Sequence, residues 1–193
     1  MKTRHALGIG GLAAITAVLA WALFVGLPRW SAARQVPAPA PPPVAAAAPA
    51  PDGRKINARL FYVADGGMKL TSVEQEVPFG EGTIEQAKAI VSAQIAPVEG
   101  PLVSAIPLGT LLRALFVTSE GEAYVDISRE LIAAHPGGST NELLTVHAIV
   151  EALTANLPGI KAVQILVEGK EVDTLAGHLD LRRPLTSDAT LRE

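Results

Sequence analysis

Ser139–Gly169, STNELLTVHAIVEALTANLPGIKAVQILVEG, contains a whole helix–stop–strand unit. Ser139 and Glu142 stand at the S-x-x-E spacing of a capping box, which predicts a helix start there. Leu143, Val146, His147, Val150, Leu153 and Leu157 then recur at three- and four-residue steps, one stripe of a helix. Pro158-Gly159 stops it, because proline cannot continue the ladder and glycine accepts a left-handed turn. Lys161–Glu168 follows as a strand, with Val163, Ile165 and Val167 on one face and Ala162 and Leu166 on the other. Two largely apolar faces predict an interior strand.

Working outward, Ile56, Ala58, Leu60 and Tyr62 alternate along a first strand, Asp65-Gly66-Gly67 supplies a turn, and Lys69–Val77 reads as a more polar second strand at a sheet edge. Thr83 and Gln86 repeat the capping-box spacing, and Ile84, Ala87, Val91 and Ile95 mark the stripe of the helix that follows. Leu111–Thr118 is an apolar strand. Ser119–Glu122 turns the chain into Ala123–Ser128, making a second hairpin. A short helical stretch, Arg129–Ala134, leads to the central unit. Val172–Leu175 reads as a last strand, Gly177–Leu185 as an extended closing segment, and the residues beyond as a frayed tail. The fold class expected is α+β: two helices packed on a mainly antiparallel or mixed β-sheet in ββαββαββ order.

The front of the chain differs in kind. Residues 6–27 are uncharged, and 22 residues of helix at ~1.5 Å each span roughly 33 Å, enough for a hydrocarbon core of ~30 Å. The run exceeds the apolar core of a secretory signal, which favours a retained anchor, although Ser31-Ala32-Ala33 offers a cleavage alternative. Lys2 and Arg4 before the span balance Arg29 and Arg34 after it. The short leading tail and large following domain favour export of that domain. Gln35–Asp52 is almost wholly proline and alanine, a composition that favours extended polyproline II and cannot build a core. The organisation expected is a tail at 1–5, a transmembrane signal-anchor at 6–27, a Pro/Ala-rich linker at 28–53, a folded domain at 54–187 and a polar tail at 188–193.

From Asp52 onward there are 19 acidic residues against 12 basic ones. That balance lacks the basic face nucleic acid requires, so no nucleic-acid partner is expected. The chain has no cysteine, hence no disulfide, thiolate metal site or lipid-bearing cysteine. Of its four histidines, His147 falls in the apolar stripe and reads as a hydrogen-bonded core or boundary residue. His178 and Asp180 share a face of an extended segment but supply too few ligands for a catalytic zinc. There is no G-x-S-x-G elbow, and the carboxylate pairs Glu74/Glu76 and Glu120/Glu122 read as solvated surface. No catalytic, cofactor-binding or metal-binding residue is expected.

From Arg59 to Leu185 the order of motifs resembles the GerMN domain, the sporulation and spore germination family. Leu60-Phe61-Tyr62-Val63, Gly100-Pro101, Ile106–Thr110, Ala123–Ser128, Ile149-Val150 through Leu153-Thr154, Val163–Gly169, Gly177–Leu181 and Pro184-Leu185 carry the likeness. The resemblance implies a non-enzymatic module on the outer side of the cytoplasmic membrane, tied to envelope and peptidoglycan processes. The partners expected are the membrane itself, envelope proteins or peptidoglycan, and a second copy of the chain. The function expected is protein–protein interaction or assembly at the envelope, with glycan or peptidoglycan binding as the alternative. The strand ends and turns offer Asp126, Ser128, Glu168, Gly169, His178 and Asp180 as a candidate interaction surface.

Overall fold

The computed structural model describes residues 53–98 and 100–192. The apolar run at 6–27 and most of the Pro/Ala segment lie outside the described residues, among which no helix is long and apolar enough to cross a membrane. Strands β1 (Lys55–Val63) and β2 (Leu70–Pro78) form an antiparallel hairpin, in register from Lys55↔Pro78 to Val63↔Leu70. Helix α1 (Gly82–Ile95) follows, then β3 (Leu112–Val117), β4 (Glu122–Ile127), the single turn α2 (Glu130–Ala133), the central helix α3 (Ser139–Asn156), β5 (Ala162–Val167) and β6 (Lys170–Glu171). A 3₁₀ turn, Ala189–Leu191, closes the chain.

One sheet was the expectation; the structure has two. β1–β2 stands as a pair, and β3-β4-β5-β6 forms a four-stranded sheet in which β4 and β5 run parallel. The reason lies along the outer edge of β1. The Arg59 amide donates to Asn156 Oδ1 at 2.9 Å and the Asn156 side-chain amide donates back to Arg59 O at 2.7 Å. Two residues on, Gln94 does the same for Phe61, at 2.8 and 2.7 Å. Another two on, Val63 pairs with Val103. Two helix-borne amides and one bridge thus satisfy the backbone groups that a neighbouring strand would take, and an edge so satisfied has no call for one. The two sheets are joined instead through the helices: α1 touches β1, β2 and β3, and α3 touches β1 and β5.

Helix α3 is buried continuously from Leu144 to Leu153, far beyond the expected stripe. Neither capping box forms. Gly138, at φ 87°, precedes α3 without a side-chain cap, and Glu142 turns away from the helix start. At α1 the preceding residue is Glu81, and Gln86 accepts from the Gly80 amide while donating to Pro78 O. The last strand pair is shorter than expected, Lys170–Glu171 rather than Val172–Leu175.

The closing residues up to Arg192 are tied down rather than frayed. Leu175, Ala176 and His178 donate their backbone amides to the carboxylate of Glu142, at 2.7, 3.0 and 2.9 Å. Leu185 pairs with Val163 of β5. Ser187 Oγ and the Asp188 amide donate to Glu151, at 3.0 and 2.7 Å, and Arg192 meets both Glu151 and Leu70. Glu142 and Glu151 are wholly buried, and nine residues apart at ~100° each they face opposite sides of α3. The closing strap therefore passes from one side of the helix to the other and ends on the first hairpin.

Candidate functional site

Four of the six residues singled out from the sequence meet at one end of the four-stranded sheet. The parallel pairing of β4 and β5 sets Ile127 beside Val167, so Asp126 and Ser128 come to lie next to the Glu168-Gly169 turn. That turn is a two-residue link with Glu168 at φ 55° and Gly169 at φ 73°. Both positions need the left-handed region, which suits glycine and strains glutamate. Glu168 is held there from three sides. Its amide donates to Ile127 O at 3.0 Å, its Oε1 accepts from the Arg129 amide at 3.2 Å, and its Oε2 pairs with Arg113 Nη1 at 2.8 Å. Asp126 Oδ1 accepts the Gly169 amide at 2.7 Å, while Oδ2 lies 3.6 Å from Arg113 Nε.

Ser128 closes the same end of β3. Its amide donates to Leu111 O and its hydroxyl accepts the Leu111 amide at 3.0 Å. The same hydroxyl, with a backbone amide, holds the Glu130 carboxyl below its ordinary value. Arg113, which sequence reasoning passed over, is the hub of this cluster. Its signal was a lone cation in an otherwise apolar strand, and it sits at the bulge between Leu112 and Ala114.

His178 and Asp180 are elsewhere, and not together. His178 binds Glu142 through both its amide and Nδ1, the latter at 3.2 Å. Desolvation raises the Glu142 pKa, but the amides of Ala176, Leu175, His178 and Leu179 together outweigh it, so the carboxyl lies below its usual range. Asp180 forks with Arg182 at 2.9 and 2.8 Å, which drives its carboxyl far below the usual range. His147 sits in the core as expected, but its Nδ1 has no hydrogen-bond partner. Burial, opposed by Glu151 and Asp188, lowers its pKa, so the ring is neutral at pH 7.

Each polar group in the cluster is thus engaged in fixing backbone or balancing a neighbouring charge. None is a free base poised beside a nucleophile. Among the described residues no group of three His, Asp or Glu side chains is placed to hold a metal ion. A cleft of about 500 Å³ opens instead at the far end of β3, between Val117–Ser119 and the start of α1 at Glu81–Ile84, with Gly121 and Gly159 also in its lining.

A model of the Germane family, described as sporulation and spore germination, matches residues 59–173. The chain belongs to that family. The Germane match begins within β1 and takes in the rest of the first hairpin, the second hairpin, α1, α3 and the Asp126–Glu168 cluster, and stops where the closing strap begins. Among solved structures, the tandem GerMN domains of the sporulation protein GerM from Bacillus subtilis are 18% identical, with a TM-score of 0.51 over 70% of this chain and 46% of that one. The first GerMN domain of the same protein gives 18% identity and a TM-score of 0.48, over 69% and 96%. A candidate lipoprotein from Clostridium perfringens gives 24% and 0.49, over 68% and 87%. The likeness to the tandem structure shows a shared fold. A comparison with curated proteins gave no match.

Proposed function

We propose that this Germane-family chain is a non-catalytic, membrane-anchored module of the cell envelope. Its 6–27 run holds it in the cytoplasmic membrane by a single span, its Pro/Ala linker extends outward, and its folded domain engages partner proteins on the outer side. Membership of the Germane family is the observation that carries this reading, because it joins a sporulation- and germination-type domain to a leading segment with the length of a membrane span. The engagement of Asp126, Glu168, Arg113 and Ser128 in backbone support favours a binding role over chemistry. The reading of Asp126, Ser128, Glu168, Gly169, His178 and Asp180 as one surface narrows to the first four, since the last two lie in the strap. Assembly with a second copy belongs to the same proposal.

Full-length chain in detergent, used as bait on crosslinked envelope proteins and separately on purified cell-wall sacculi, tests it. Specific recovery of envelope proteins, with no saturable retention on sacculi, is the expected result. Firm, saturable retention on sacculi without protein partners would replace the reading with glycan or peptidoglycan binding.

A further inference from the structure

The sheet edges of this domain end in different ways. β1 is sealed by Asn156, Gln94 and Val103. β5 is covered by β6, by Leu185 against Val163 and by the Gln164 side chain, which donates to Leu181 O at 2.6 Å. β2 meets Arg192 at Leu70, and beyond it carries the exposed carboxylates Glu74 and Glu76, which blunt an edge.

β3 is the exception. The Thr118 amide bonds to Glu122 O, so the register turns Phe116 and Ala114 toward β4 and leaves the backbone groups of Leu115 and Val117 pointing the other way. No hydrogen bond from the described residues meets the Val117 amide on that side. Val117 also lines the 500 Å³ cleft, a volume within the ~300–1,000 Å³ of ligand-binding clefts. Phe116 beside it is 62% exposed, an aromatic ring left uncovered on the strand with the open edge. The bulge and the Arg113 ion pairs blunt the opposite end of β3, so the opening is confined to Leu115–Thr118.

We propose that this stretch of β3 accepts an extended segment of a partner protein, apolar at alternate positions and basic where it meets Glu81 and Glu120. The inference rests on the protein-partner reading above and assigns that reading a surface. Strand addition takes its affinity from main-chain hydrogen bonds and its specificity from pockets for alternate side chains. Here the free Val117 groups supply the first, and the cleft between Ile84 and Thr118 the second. The charge follows from the rim. Glu81 makes no cap bond to α1, and its carboxylate is exposed with Arg54 no nearer than 3.8 Å. Glu120 is exposed, and its ionised form is stabilised first by the Ser119 hydroxyl and to a lesser degree by the Lys161 cation nearby, which leaves the carboxylate open to solvent and to a second cation. A second copy would bring the same excess of 19 acidic over 12 basic residues to an acidic rim, so a basic partner segment is the occupant the charges favour.

The test uses full-length chain in detergent micelles and a fluorescein-labelled octapeptide alternating valine or threonine with lysine, alongside its glutamate counterpart. The lysine peptide binds saturably, the glutamate peptide at least about tenfold more weakly, and exchange of the Val117 amide slows on binding. Val117→Pro removes the free donor without touching the β4 ladder and weakens binding about tenfold. The double change E81K/E120K alters only exposed side chains, keeps the test decisive should the proline variant fail to fold, and reverses the peptide preference. No saturable binding, undiminished binding by Val117→Pro, protection appearing at β2, or self-pairing through β3 would each overturn the assignment. If envelope proteins are still recovered by the bait while the lysine peptide fails, the surface is wrong and the broader function stands; if both fail, the function falls too.

Discussion

Replacing Glu142 by glutamine changes one oxygen of a wholly buried carboxylate to an amino group. In the native chain one carboxylate oxygen accepts from the amides of Leu175 and Ala176, at 2.7 and 3.0 Å, and the other from the His178 amide and Nδ1, at 2.9 and 3.2 Å. Glutamine keeps the first oxygen, now uncharged, and sets a donor against the His178 amide. Hydrogen bonds to charged groups contribute ~1.5–3 kcal/mol and an unsatisfied buried donor costs ~1–3 kcal/mol, so E142Q should lose about 3 kcal/mol. For a domain of this size that is on the order of 10 °C in Tm. Chemical denaturation gives the total, and amide exchange should speed up most at 175–178, where the strap comes loose. The pH dependence fixes the cause. A carboxyl whose folded pKa is depressed contributes stability that is complete above its unfolded value, ~4.3, and is lost as pH falls through the folded value. The gap between native and E142Q should therefore be full at pH 7 and begin to close below pH ~4.3. A loss under about 1 kcal/mol, or a gap indifferent to acid, would refute the carboxylate as the strap's anchor.

Gln94→Leu should cost about 2–4 kcal/mol in a denaturation titration, because the Phe61 amide and carbonyl are both left buried and unmet. Gly121→Ala should destabilise by about 2–4 kcal/mol, measured the same way: its φ is +91° and a Cβ would stand 2.4 Å from Gly159 O. His147→Leu removes a polar ring whose Nδ1 has no partner, and should be neutral or stabilising by up to about 1 kcal/mol at pH 7. Because the folded pKa of His147 lies below its unfolded one, the native chain loses stability as pH falls below ~6.5, and thermal melts at pH 5 should favour the leucine variant more than melts at pH 7.

The regular elements were legible because their signals are local. Alternation at Ile56–Tyr62 with Asp65-Gly66-Gly67 gave the first hairpin, and the stripe ending at Pro158-Gly159 gave α3 and β5. The misreadings concern polar side chains whose partners are far along the chain. Ser139-x-x-Glu142 has the spacing of a cap, yet Glu142 answers to residues 33–36 positions away. Gln94 and Asn156 carried no expectation from the sequence because nothing nearby shows that β1 needs covering. The available cue was a polar residue set among apolar ones on a helix, as with Gln94 next to Val91 and Ile95, since a buried polar group requires a partner. Of the candidate surface, the parallel register of β4 and β5 assembled Asp126, Ser128, Glu168 and Gly169, a pairing no local pattern reveals. Periodicity within the closing segment likewise could not show that His178 would turn to α3 and Asp180 to Arg182.

The most direct test of the envelope-module account is the side of the membrane reached by a reporter fused after Glu193. An alkaline phosphatase fusion to the full chain should be active and should sediment with membranes. An inactive phosphatase, with a green fluorescent fusion bright and free in the cytosol, would contradict it.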